Sequence, residues 1–197
     1  MNVGLLVEGH GEVQSAPVLL RRLGDLLGYP CNVRSTLRVP RSTIPRTGEV
    51  ERAVTLLGDK VGEGGSILVL LDADDDLACA LGPQLLERAV KARPDRRMGV
   101  VLAVREYEAW FLAAASSLRG RRGLPADLEP PTSPETIRNA KGWLDERMPR
   151  GYSPTADQPA LTAIFDLEAA RTSPSFGKLV REVARVLAPM APPPVPA

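Results

Sequence analysis

The sequence predicts an α/β fold, a mostly parallel sheet with helices on both faces and a helical cap at the C-terminal end. Three observations carry this. Short runs of branched apolar residues at 3–7, 66–71 and 98–104 read as buried strands. Segments with helical periodicity lie between the strands, so that strand and helix alternate through the first two thirds of the chain. After Arg119 the strand-like runs stop, and helical segments headed by Ser, Asp and Pro replace them.

The elements follow in order. The first strand, 3–7, runs into Glu8-Gly9-His10-Gly11-Glu12, whose glycines permit a tight turn. A helix is expected over 14–27, with Pro17 in its first turn and Val18, Leu19, Leu23, Leu26 and Leu27 on its apolar face. Residues 31–39 alternate weakly as a second strand, with Arg34 and Arg38 on one side. A basic, proline-punctuated loop covers 40–47. Val50, Val54, Leu57 and Val61 then give the spacing of a helix over 48–61. The third strand, 66–71, ends in Asp72-Ala73-Asp74-Asp75-Asp76. Pro83 heads a helix over 83–92, and the fourth strand, 98–104, leads into a helix from Arg105 to about residue 118. Ser133-Pro134 opens a helix to about residue 148, and Asp157-Gln158-Pro159 and Ser173-Pro174 open two more. The expected organisation is a metal-binding core over 1–118, a helical extension over 119–188 packed on it, and a flexible Pro-rich tail over 189–197.

At 197 residues this is one domain, or one domain with a small appendage. The formal net charge of +1 gives no global electrostatic reason to bind nucleic acid or membrane, so any basic surface must be local. No apolar run approaches the ~20 residues of a membrane span. Cys31 and Cys79 have no metal-ligand spacing, and the N-terminal apolar run lacks the basic flank of a secretory signal. A reduced, cytoplasmic protein with no membrane partner is the expectation.

Chemistry concentrates where strands end. Glu8 with Glu12, Asp72 with Asp74 and Asp76, and Glu106 with Glu108 each follow an apolar strand. Each cluster alone reads equally as a solvated turn or as first-turn acids favoured by the helix dipole. Parallel strands with right-handed crossovers would bring all three to one edge of the sheet, where α/β folds place their ligands. Carboxylates packed so closely repel unless cations compensate, and an all-oxygen set suits Mg²⁺ or Mn²⁺. Two such ions about 3.5–4 Å apart can activate water and stabilise the leaving oxygen of a phosphodiester.

Glu8-Gly9 after the first strand, with Asp72-x-Asp74 after a later one, resembles the Toprim domain of topoisomerases, primases and overcoming-lysogenization-defect (OLD) nucleases. Val7-Glu8-Gly9-x-x-Glu12 and Arg105-Glu106-x-Glu108-x-Trp110-x-Leu112 look most like the OLD branch. Nearly the whole chain resembles the bacterial family DUF4276, including Glu106-x-Glu108-Ala109-Trp110, Lys141, Tyr152-x-x-Thr155-x-Asp157-Gln158 and Ser173-x-Ser175-Phe176. The resemblance implies a Toprim-like fold and a phosphoryl-transfer site. In it Glu8, Asp72 and Asp74 would be catalytic, and Glu8, Glu12, Asp72, Asp74 and Glu108 would ligate Mg²⁺ or Mn²⁺. Asp76 is a weaker candidate, and Asp75 is expected to face away. The chain departs from the OLD pattern in lacking a clear counterpart of its catalytic lysine, a charge that Lys141, Lys178 or Arg105 would have to supply. It also lacks the fused ATPase domain, so an ATPase partner would be a separate chain.

Other positions have bland readings. His10 reads as a solvated loop residue and Trp110 and Phe111 as core. Arg34, Arg38, Arg41 and Arg46, and Arg119, Arg121 and Arg122, fit either a phosphate-tracking surface or ordinary surface arginines. The expected function is a metal-dependent nuclease acting on DNA or RNA, within a defence or DNA-processing module. The alternative is a non-catalytic module that binds nucleic acid or docks on an ATPase. Haloacid-dehalogenase-like phosphatases and nucleotide-sugar glycosyltransferases also carry Asp-x-Asp strings, but Glu8-Gly9 on the opening strand argues against both.

Overall fold

A computed structural model of the chain describes residues 1–44 and 46–189. Apart from Pro189, the expected tail lies outside the described residues.

Four strands form one all-parallel sheet in the order β2-β1-β3-β4: β1 (Asn2–Val7), β2 (Asn32–Arg38), β3 (Ser66–Asp72) and β4 (Arg97–Ala103). The helices α1 (His10–Leu26), α2 (Glu49–Val61) and α3 (Ala78–Ala92) make the crossovers. This is the α/β architecture, with helices on both faces, that a Toprim-like fold requires. The period of two along each strand divides the core into two layers. Val3, Leu5, Val7, Leu68, Leu70, Val101 and Ala103 face α1 and the C-terminal helices. Leu6, Ile67, Val69, Leu71, Val100 and Leu102 face α2 and α3. Gly4 is small because a Cβ there would stand 3.1 Å from both Leu57 and Val61 of α2.

Two prolines sit differently from expectation. α1 begins at His10 and α3 at Ala78, so Pro17 and Pro83 lie inside their helices rather than in the first turn. Each removes one backbone hydrogen bond, and the helices continue because their flanks are buried: Ala16, Leu19, Leu20 and Leu23 in α1, Leu85 and Ala89 in α3. The buried face of α1 is therefore shifted, and Leu26 is exposed.

The region after β4 is more broken than its sequence pattern. The expected helix from Arg105 is a short α4 (Ala109–Ala113) followed by a 3-10 turn at Ala115–Leu118. The expected helix over 133–148 is a 3-10 turn, Pro134–Thr136, and a separate α5 (Ala140–Asp145). Ile137 is extended, and Asn139 starts α5 afresh by accepting a hydrogen bond from the Gly142 amide at 2.8 Å. Short α6 (Asp157–Thr162) and α7 (Leu167–Ala170) lead to α8 (Pro174–Leu187), capped by Ser173.

α8 lies against β3 and β4 beside α1 and closes one face of the sheet. Its Phe176 stands edge-on to Trp110 and Phe165 at 5.3 and 5.8 Å between ring centroids, and Trp110 Nε1 donates to Ser175 Oγ at 2.8 Å. The C-terminal third is thus continuous with the main core. Phe176→Ala is expected to destabilise the whole chain by about 3–5 kcal/mol, in one cooperative urea transition. A separate early transition for the C-terminal third would show that it folds apart from the sheet.

Candidate metal centre

The strand order sets the site. From β1 the chain crosses to one side and then returns over β1 to reach β3, so the crevice at the carboxyl ends of β1 and β3 is the topological switch point. Glu8 follows β1 directly and Asp72 is the last residue of β3. Glu12 enters from the first turn of α1, and Glu108 from the residue that caps α4. Glu12, Asp72 and Glu108 are 5%, 5% and 0% exposed.

Gly9 and Gly11 create room rather than backbone freedom, since neither has a positive φ. A Cβ on Gly9 would lie 2.2 Å from Glu12 Oε2. One on Gly11 would lie 2.3 Å from Gln158 Oε1 and 2.7 Å from the Pro154 carbonyl. The Glu-Gly-x-Gly-Glu string therefore lets Glu12 fold back toward Glu8 and lets the C-terminal segment close over α1.

Lys141, on α5, stands among the carboxylates. Its Nζ is 3.3 Å from Asp72 Oδ2, 3.1 Å from Glu106 Oε1 and 3.3 Å from Glu108 Oε2, and its amide donates to Glu106 Oε2 at 3.0 Å. Burial alone would lower its pKa, but Glu108, Asp72 and Glu106 outweigh burial and hold it well above the usual lysine value. Asp72 Oδ1 accepts from the Tyr107 amide at 2.7 Å. Glu108 Oε1 accepts from Tyr152 OH at 2.9 Å and from Gln158 Nε2 at 3.1 Å.

One ammonium does not balance the cluster. Burial raises the pKa of both Asp72 and Glu108, with Lys141 pulling the other way. Glu8 is pushed up to about 7 by burial, then by Asp74 and Glu12. Among the described residues, no group of three or more His, Cys, Asp or Glu side chains is closed tightly enough to hold an ion as it stands. The carboxylates are instead spread around Lys141. The residues still fit a hard cation. Glu8 Oε2 and Glu12 Oε2 are buried with no hydrogen-bond partner, and Glu108 Oε2, also without a hydrogen bond, has only the Lys141 ammonium beside it. Such atoms cost free energy unless something fills their lone pairs. All the available donors are oxygens, which suits Mg²⁺ or Mn²⁺.

Asp74 stands at the mouth of the site. It adopts a left-handed backbone (φ 50°), its side chain is more than half exposed, and its carboxylate is 3.5 Å from Arg41 Nε. Arg41 also pairs with Asp76, while Asp75 faces outward and is held by Arg105 and Arg138. An open cleft of about 460 Å³ runs beside this turn, lined by Asp74, Asp75, Leu77, Val104, Arg105 and Glu135. Glu8, Glu12, Asp72 and Glu108 thus come together, Asp74 borders them, and Asp75 and Asp76 do not join. His10 is exposed, and Trp110 and Phe111 are fully buried core. Arg119 and Arg122 are engaged locally by Glu129 and Asp157. Glu106, read from the sequence as part of the third acidic cluster but not as an ion ligand, joins through Lys141, and Gln158 is the member that residue type and spacing did not single out.

Two outcomes are expected. The folded protein keeps the Glu8 proton to about pH 7, whereas the unfolded chain releases it near 4.5, so ion-free stability should fall as pH rises through that window. Glu8→Gln should flatten the fall, read as Tm against pH in EDTA. A fall as steep as in the wild type would remove Glu8 as its source. Lys141→Met should destabilise the EDTA-treated protein by about 2 kcal/mol, less than the roughly 3–5 kcal/mol of a fully buried pair because the ammonium is partly solvated. Urea unfolding reads it, and an unchanged midpoint would show that Lys141 does not hold the cluster.

No curated protein and no solved structure matches the chain. The family described as a domain of unknown function (DUF4276) matches residues 7–184, which take in the last residue of β1, the strands β2, β3 and β4, and Glu8, Glu12, Asp72, Asp74, Glu108, Lys141, Tyr152 and Gln158. The chain belongs to the DUF4276 family.

Proposed function

We propose that the protein is a metal-dependent nuclease of the Toprim-like, OLD-nuclease type, hydrolysing phosphodiester bonds with Mg²⁺ or Mn²⁺. The observation that carries this is the gathering of buried carboxylate oxygens at the switch point of the sheet, with Glu8 Oε2 and Glu12 Oε2 unpartnered and Glu108 Oε2 facing only the Lys141 ammonium. Glu8, Glu12, Asp72 and Glu108 would hold ions, with Asp74 at the entrance. A bound divalent ion would supply Lewis-acid stabilisation of phosphoryl oxygens and lower the pKa of bound water.

The chain's own residues have definite roles in this scheme. Glu8 would accept the proton of the attacking water; its pKa of about 7 belongs to the ion-free site, and a bound cation would lower it. Water oxygen then bonds to phosphorus, the bond from phosphorus to the leaving ribose oxygen breaks, and that oxygen takes a proton from solvent. Lys141, held protonated by its carboxylates, steadies negative charge on the phosphoryl oxygens and does not donate its proton. It would supply the positive charge that the OLD pattern takes from its catalytic lysine. Arg41, Arg105 and Arg138, on three loops around Asp74, Asp75 and Asp76, are placed to meet flanking phosphates of DNA or RNA. No described helix is long and apolar enough to cross a membrane. A cytoplasmic setting in a defence or DNA-processing module, with a separate ATPase, completes the proposal.

A second reading draws on the open spacing of the carboxylates around Lys141: a non-catalytic Toprim-like module that binds nucleic acid or docks on an ATPase. Incubation of the full chain with DNA and with RNA in Mn²⁺ separates the two. The nuclease reading expects cleavage that EDTA abolishes and that Glu8→Ala or Asp72→Ala lowers at least about 100-fold. Equal cleavage by both variants would remove these residues from the mechanism. No cleavage of either substrate by the wild type, with nucleic-acid binding retained, would favour the second reading.

A further inference from the structure

Gln158 lies on α6, 146 residues from Glu12, and its side chain is fully buried between two of the site's carboxylates. Its Nε2 donates to Glu12 Oε1 at 2.8 Å and to Glu108 Oε1 at 3.1 Å. A primary amide has two N–H groups, and each is spent on one carboxylate. Its Oε1 accepts from Ser15 Oγ at 2.9 Å, which fixes the orientation of the amide. Turned over, the carbonyl oxygen would face two carboxylates. Tyr152 OH secures Glu108 Oε1 from a second direction at 2.9 Å.

The consequence falls on the other oxygen of each carboxylate. With both Oε1 atoms committed, Glu12 Oε2 is left buried and without a partner, and Glu108 Oε2 makes no hydrogen bond and faces only the Lys141 ammonium at 3.3 Å. We infer that Gln158 is a positioning residue for the divalent ion, tying down Oε1 of Glu12 and of Glu108 so that Oε2 of each is presented as a ligand. This rests on the metal reading above. The residue type suits the task. With Lys141 already beside Glu108, a second cation here would neutralise the carboxylates further and compete with the ion, and a further carboxylate would repel both. A glutamine donates twice and adds no charge. Gly11 belongs to the same device, because any Cβ there would overlap Gln158 Oε1.

Calorimetric titration of the full chain with Mn²⁺ tests the inference, with Gln158→Met, Gln158→Glu and Ser15→Ala beside the wild type. Gln158→Met keeps the volume and removes both donors, and it should weaken Mn²⁺ binding about 10–100-fold, as loss of a residue that orients metal ligands does. Gln158→Glu should weaken it at least as much. Ser15→Ala leaves the amide in place but free to turn over, and should cost about 2–5-fold. Circular dichroism in EDTA establishes that each variant is folded. A merely structural role would lower the Tm equally with and without Mn²⁺ and leave the Kd unmoved. A folded Gln158→Met that binds Mn²⁺ like the wild type overturns the inference while leaving the metal reading intact. If Gln158→Met does not fold, wild-type affinity in Ser15→Ala overturns it. A wild type that binds no Mn²⁺ removes the metal reading and this inference together.

Discussion

Negative charge gathered at the ends of neighbouring parallel strands repels itself, and the rest of this molecule is arranged around holding it in place. β1 and β3 are adjacent, so Glu8 and Asp72 emerge side by side. The chain leaves β1 into α1 and β3 into α3 on opposite faces of the sheet, which opens the crevice between them. Within it burial raises the cost of every ionised carboxylate. The strands and crossover helices contribute no cation to its floor. Arg41 compensates at the mouth, and deeper in the crevice Lys141, Tyr152 and Gln158 supply the rest, all three from beyond residue 140. The C-terminal third serves as the charged and hydrogen-bonded wall of the site as well as a cover for the sheet.

Much of this was legible because strand burial and strand ends leave local signatures. The runs at 3–7, 66–71 and 98–104 are strands to within a residue or two, and the acids that follow them lie where parallel strands must put them. Helix starts were less legible. Pro17 and Pro83 were read as first-turn residues because an interior proline forfeits a hydrogen bond, but long-range burial of leucines on each side keeps the helix going. The break at 137–139 was invisible for the complementary reason. Nothing in the spacing of 133–148 forbids one helix, and the break lies in an extended Ile137 followed by the new cap at Asn139.

Lys141 and Gln158 mark the limit of reading by spacing. Lys141 looks like any helix-surface lysine, and its meaning depends on where α5 docks. Gln158 sits after an acidic N-terminal helix residue, a place where polar side chains are ordinarily solvated, yet it is fully buried. The local signal that pointed toward Gln158 was indirect. Gly11 leaves space beside α1 that the first strand and helix do not themselves fill, and a space of that kind implies that something distant in the chain occupies it.

The separation between Glu12 and Gln158 also has a consequence for how the protein is made. A ribosome that has released residues 1–118 has produced every strand and every proposed ion-binding carboxylate, but none of Lys141, Tyr152 and Gln158. The nascent sheet therefore meets its own crowded charge before the counterweight exists. Until the last third emerges, protonation, dissolved ions or incomplete strand pairing must relieve that charge. The assembled crevice is a property of the finished chain, and an aborted or truncated product carries the acids without the arrangement that makes them a site.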